Sequence, residues 1–492
     1  MSSTVASQHG LQSDGRPPKE ALPTSHLAAR RQRTSARIGA GSLDFAPGTR
    51  RATARREGKL MRRHVTGLLL ALGLAFTSVW TSTGVGAGSD REHEVWLIDQ
   101  SDSVADGGGR LYVYQGADLV GLRAATVVPE VIDLGGAARS QCLDDTGTAP
   151  RRPHMLFFNA DHTRAVLSFV TTGHVLFLDA ASRAPVACID VGVQAHAAVP
   201  APDDSHVVVA NQNGKLLQRI TTNFAGDSYD LDAAATVDLA TCTTPSGAPC
   251  QGPERPDNAP ICAVIDGTSQ FVFVSLRGGG LLVVDSTQTP MAIVAEYDAA
   301  TVHPNGCGGV EAGGKIYLNA GGGTAANPVE SDLYAFPLTG YSATPNAPNT
   351  PAPVVVFSQD ARGFVDSHGT TLTADGRFLW AGDRAANRIV VVQVSRDRVV
   401  HEFSLVGRAS ADPAPDLLDT SPGGDAVYAA LRGPNPLTAN VAGVNNAVGS
   451  TPGLGVIRSG GAGGVLVAVA PVSNVVGGVQ LADPHAVRVR RL

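Results

Sequence analysis

One pattern returns along most of this chain: a short apolar strand, a turn carrying Asp and Gly, a second strand ending in a polar turn, a third closing on Asp, and a Val/Ile-rich fourth. A repeat of this kind constrains a fold strongly, because one unit cannot bury its own faces and must pack against copies of itself. The pattern is clearest in the segment HGTTLTADGRFLWAGD that starts at His368. The same frame fits the segments starting at His154 and His196, and in all three the histidine stands seven residues before a turn aspartate, Asp161, Asp203 or Asp375. Matching turns place further origins near Ala259 and Gly306 and at Asp416. Six copies result, spaced 42, 63, 47, 62 and 48 residues apart.

The chain ends supply a seventh. Three strand-like segments lie in HEVWLIDQ, GRLYVYQG and PEVIDLG, and one orphan strand, DPHAVRVRRL with His485, closes the sequence. Pairing the last strand with the first three completes a blade and removes the open sheet edges of the array. The expected fold is therefore all-β: a seven-bladed β-propeller of four-stranded blades, its ring closed by the C-terminal strand. Glycine at 56, proline at 31 and 17% charged residues agree, being poor material for long helices.

Residues 1–60 are rich in Ser, Thr, Ala and Arg and hold no apolar period, so they are expected to be disordered. Residues 61–87 then read as a secretory signal peptide: Met61, Arg62 and Arg63, an apolar run from Val65 to Trp80, and small residues to Ala87. Translation is expected to start at Met61 and the exported form near Gly88, leaving residues 88–492 as the propeller. That run is too short for a confident membrane span. Residues 1–87 carry 13 Lys plus Arg and 4 Asp plus Glu, which leaves 25 basic against 40 acidic residues, net −15, in the remainder. Such a surface repels nucleic acid and anionic membrane. All six cysteines follow the signal, and an even count in an exported chain predicts disulfides. Cys242 and Cys250, eight residues apart around Pro245 and Gly247, are the pair that spacing predicts; the other four stay unassigned. The expected compartment is extracytoplasmic, periplasm or medium, and the expected state a monomer.

The segments GHVLFLDAASRAPVACIDVG and ANRIVVVQVSRDRVVHEFSL resemble the repeat of the YVTN-type, YncE-like seven-bladed propellers, a group that includes lactonase-like and nitrous-oxide-reductase-like domains. The resemblance covers roughly residues 93–492. It implies the propeller fold, while the tetrapeptide Tyr-Val-Thr-Asn is absent and no subfamily activity comes with it.

Alternating strand direction puts the turn into each first strand and the turn between second and third strands on one face. His154, His196, His368 and His485, with Asp416, would ring the central channel there, and Arg277, Arg384 and Arg432 would stand at the ends of second strands. Histidines in such a ring can hold a transition metal, copper or zinc, and arginines can grip a carboxylate or phosphate. The competing reading is that the repeat itself places structural His and solvated Arg at these turns. His303, Cys307 and Asp366 are assigned to turn chemistry. Insertions at 241–258, 321–330 and 432–463 are expected to wall the same face, where function in such scaffolds resides.

Absences narrow the chemistry. There is no haem-attachment Cys-x-x-Cys-His, no Gly-x-Ser-x-Gly nucleophile turn, no P-loop and no dinucleotide fingerprint. Beyond the signal only Trp96 and Trp380 remain, too few for the tryptophan-docking repeats of quinone dehydrogenases, and Asp416 is the only acidic residue among the repeat origins, too few for a calcium lactonase. Three classes stand: a module binding a protein or small ligand through its inserted-loop face, a metal-dependent enzyme with a His-lined channel, and a scaffold subunit of a periplasmic dehydrogenase.

Overall fold

The computed structural model describes residues 92–321, 331–342, 348–359, 365–441 and 444–492. The proposed signal peptide, the segment before it and the insertion at 322–330 lie outside the described residues. Seven four-stranded antiparallel sheets form a propeller. Blade 1 combines His93–Asp99, Arg110–Gln115 and Glu130–Asp133 with the final strand Pro484–Arg491, which pairs with the first (Val95 with Val489, Leu97 with Val487). The inner strands of blades 2 to 7 are Pro153–Phe158, Ala195–Pro200, Pro260–Ile265, Gly309–Ala312, Ser367–Leu372 and Pro415–Thr420. Closure is fixed by charge as well as pairing: Glu94 accepts from Arg183 at 2.6 Å, from Arg490 of the closing strand at 3.0 Å and from the Trp96 indole at 3.0 Å.

Strand alternation packs neighbouring blades face to face. Trp96, Leu156, Leu167 and Phe169 fill the contact of blades 1 and 2, and Trp380, Leu418, Val427 and Leu431 that of blades 6 and 7. Burying a side chain of this size contributes about 1.5–3 kcal/mol. One short helix, Ala137–Thr146, links blades 1 and 2 and ends at Gly147, whose φ of +78° suits a residue without Cβ.

Three disulfides brace the ring. Cys242–Cys250 closes its own insertion, Cys142–Cys188 pins the helix to the outer strand of blade 2, and Cys262–Cys307 ties the inner strand of blade 4 to the entry of blade 5. Two repeat origins shift. In blade 4, Asp266 makes the backbone contact to Phe271 that Asn159 makes to Arg164 in blade 2, so it ends the strand rather than sitting two residues into the turn. The position equivalent to His154 is therefore Ile261, not Ala259, and in blade 5 Cys307 rather than Gly306.

Candidate functional site at the channel mouth

The inner strands of six blades carry a register shift near their starts, at His154, at His196, at Ile261 and Cys262, at His368 and Gly369, at Asp416 and Leu417, and opposite Ile98 where His485 lies. A bulge turns its extra residue out of the alternation. His154, His196, His368 and His485 consequently line one cavity of about 530 Å³ together with Ile261 and Cys307. Residues at the ends of second strands, including Gln212, Arg277 and Arg384, share it, so both turn types lie on one face as expected.

The four imidazoles form a chain. His154 Nδ1 donates to Gln100 Oε1 at 2.8 Å, which leaves Nε2 of the neutral ring bare and 3.2 Å from His196 Nε2. His196 therefore donates through Nε2, and its buried Nδ1 has no hydrogen-bond partner among the described residues, while the Ile261 backbone beside the ring favours its protonated form without reversing the effect of burial. His485 stacks on His154 with centroids 3.7 Å apart and donates from Nδ1 to the His154 carbonyl at 2.9 Å. His368 stands edge-on to His485 at 5.3 Å, and its Nδ1 lies 3.1 Å from Asp416 Oδ1, off the line of a hydrogen bond. Burial holds His196 down to about 4 and His485 to about 3, and pushes His154 and His368 well below the usual imidazole range. All four are neutral at pH 7.

Beneath them runs a buried ion network. Arg384 grips Asp366 through two bonds of 2.8 and 3.1 Å and reaches Asp416 at 3.2 Å; Arg432 grips Asp483 at 2.6 and 2.8 Å and also touches Asp416. Burial works against the Asp416 carboxylate, but the guanidinium groups of Arg384 and Arg432 outweigh it and hold the group ionised. Asp366 is raised by burial to about 6 despite Arg384. Two expectations are corrected here. Arg384 and Arg432 are 2% and 0% exposed and spent on carboxylates, so they are not a free anion grip, and Asp366 belongs to this network rather than to a turn alone. Arg277 stands apart, 40% exposed, paired with Asp257 at 2.6 Å. His303 lies away from the cluster, 2.5 Å from Asp332.

The insertion after Arg432 roofs the cavity through Thr438, Val441, Val444 and Asn445. It ends at residue 452, because Gly453–Ser459 is already the third strand of blade 7, and the insertion at 241–258 stands beside the cavity, supplying Asp257. The roof is keyed to the network: Arg432 donates to the Thr438 carbonyl at 3.0 Å, and the Leu437 N–H to Asp483 at 2.7 Å. Gln100, Asp483 and Thr438 were not among the sequence candidates. Asp483 had a signal, since it precedes its channel histidine by two residues in Asp-Pro-His as Asp366 does in Asp-Ser-His.

Fold and site together define a disulfide-braced propeller with a polar channel mouth under a lid-like insertion. Solved structures of similar shape include the periplasmic gluconolactonase PpgL of Pseudomonas aeruginosa, with TM-score 0.52 and 15% identity over 81% of this chain and 99% of that one. A protein of Lactobacillus plantarum follows at TM-score 0.49 and 12% identity, covering 81% and 99%. No family model and no curated protein matches the sequence, so the likeness is one of fold.

Proposed function

We propose that this chain is an exported binding propeller whose channel mouth takes a small, uncharged, polyhydroxylated ligand. The observation that carries the reading is the charge state of the cavity: its arginines are each committed to a carboxylate, its imidazoles are neutral, and Gln194 Oε1 and His196 Nδ1 are buried acceptors without hydrogen-bond partners among the described residues. Buried polar atoms left bare cost about 1–3 kcal/mol each, a cost that hydroxyl donors of a ligand would remove. A gluconolactonase among the similar folds supplies a probe of that class. Freshly dissolved D-glucono-1,5-lactone and D-glucose, titrated by calorimetry, are expected to bind, D-gluconate more weakly, and the Gln194→Ala, His196→Ala double variant to bind neither. Tighter binding of gluconate than of the neutral forms would overturn the proposal. Three disulfides suit the oxidising compartment that export requires, and an N-terminus near Gly88 on the exported protein is the matching mass-spectrometric result.

A metal-dependent reading has one observation in its favour: donor atoms of His368, Asp416 and His485 lie within 4.8 Å of one another. Against it stand the two guanidinium groups on Asp416, which take up the charge a dication would need and repel the ion itself. Elemental analysis decides: one zinc or copper per chain would replace the first reading.

A further inference from the structure

Further along the inner strands the channel changes character. A second cavity, of about 190 Å³, is walled by Met155, Phe157, Val199, Val264, Val310 and Leu417. Into this section projects Arg488, three residues after His485 on the closing strand. Its guanidinium lies 4.6 Å from the centre of the Phe157 ring, and among the described residues it makes no hydrogen bond and no ion pair. The two carboxylates nearby make no direct contact with it among the described residues. Glu311, also on the cavity wall, accepts from the Gly267 N–H, and Asp419 accepts from the backbone of Val489 and Thr420. Burial pushes Arg488 below the usual guanidinium range, with Asp419 offsetting only part of that.

A cation held without a direct partner is costly to desolvate unless a group in contact with it brings a counter-charge. A guanidinium held over an aromatic ring keeps its planar fork of donors, the arrangement that meets a carboxylate with two bonds. The remaining walls are hydrocarbon side chains interrupted by Thr370, Glu311 and the backbone of Gly308 and Gly309, and a cavity of about 150 Å³ is enough for a benzene ring. We infer that this inner chamber is a second binding site, distinct from the polar mouth, for a small monocarboxylate with an apolar body, held by Arg488 at the head and by the inner-strand side chains around the tail.

The test uses the intact exported protein with benzoate as probe and benzamide, its uncharged isostere, as control. By calorimetry benzoate is expected to bind and benzamide to bind far more weakly. Arg488→Met should weaken benzoate about 10- to 100-fold, the range lost with a charge-assisted pair, while leaving benzamide unchanged. Arg488→Lys, which keeps charge but loses the fork, should fall between. Urea unfolding supplies a second readout, because removing an uncompensated charge should leave the Met variant at least as stable as the parent without ligand. His196→Ala should not alter benzoate binding, which separates this site from the mouth. Equal binding of benzoate and benzamide, inorganic phosphate competing as well as benzoate, or an Arg488→Met variant that is less stable and binds benzoate as before would each overturn the inference. The last result would assign Arg488 to packing on Phe157.

Discussion

Acid should unfold this protein through its channel, and the size of the effect follows from the buried groups. His196 and His485 titrate at about 4 and 3 in the fold, His154 and His368 lower still than free histidine, against about 6.5 in the unfolded chain. A folded value below the unfolded one means that the unfolded chain takes up protons the native state refuses. Stability from these groups is therefore complete above about pH 6.5 and is lost as pH falls towards the folded values. Asp366 and Asp99 act in the opposite sense, since burial raises each to about 6, so the native state binds their protons first. At pH 5 the unfolded chain carries about four protons on the imidazoles and the native state about two on the aspartates. The difference of about two gives a slope of about 3 kcal/mol per pH unit, a large part of the 5–15 kcal/mol typical of a domain. Urea midpoints measured from pH 7.5 to 4.5 should fall steeply below pH 6.5, and His485→Gln should remove about 1.4 kcal/mol per unit from the slope. A stability that stays level or rises between pH 6.5 and 5 would refute the neutral-imidazole account.

Arg432→Met leaves Asp416 and Asp483 without their shared counter-charge and should cost about 3–5 kcal/mol in urea unfolding, with protease cleavage appearing between residues 433 and 452 as the roof is released. Glu94→Gln removes the anchor of Arg490 on the closing strand; a loss of about 2–3 kcal/mol is expected, and hydrogen exchange should show Pro484–Arg491 opening before the other inner strands. Non-reducing peptide mapping should recover Cys142–Cys188, Cys242–Cys250 and Cys262–Cys307, and breaking the last, with a loop of 45 residues, should cost about 4 kcal/mol on the chain-entropy estimate.

What the sequence made legible was whatever the repeat dictates. Strand period and turn residues give seven blades, and the orphan strand at His485 gives the closure, because edges must be paired. The same logic brings His154, His196, His368, His485 and Asp416 to one mouth, since equivalent positions in equivalent blades share radius and height. Partners are a different matter. Arg384 and Arg432 stand where the repeat puts them, yet each reaches into the next blade, Arg384 of blade 6 to Asp416 of blade 7 and Arg432 of blade 7 to Asp483 of blade 1. Position along a strand carries no record of a neighbour 32 or 51 residues away. Cys262 and Cys307, 45 residues apart, are likewise adjacent only once their blades are side by side.

The channel's asymmetry has the same origin. One slot in the repeat is filled by histidine in blades 1, 2, 3 and 6, by Asp416 in blade 7, by Ile261 in blade 4 and by a disulfide cysteine in blade 5. The repeat fixes where that slot lies, and the residue chosen in each copy decides its chemistry. Blades 6, 7 and 1 carry the ion network, blades 4 and 5 fill the slot with hydrocarbon and a cross-link while adding Arg277 and Asn305 to the wall, and the chain of imidazoles spans the two. The slot itself therefore offers hydrogen-bonding groups on one side of the mouth and apolar ones on the other, a polarity that seven identical blades could not produce.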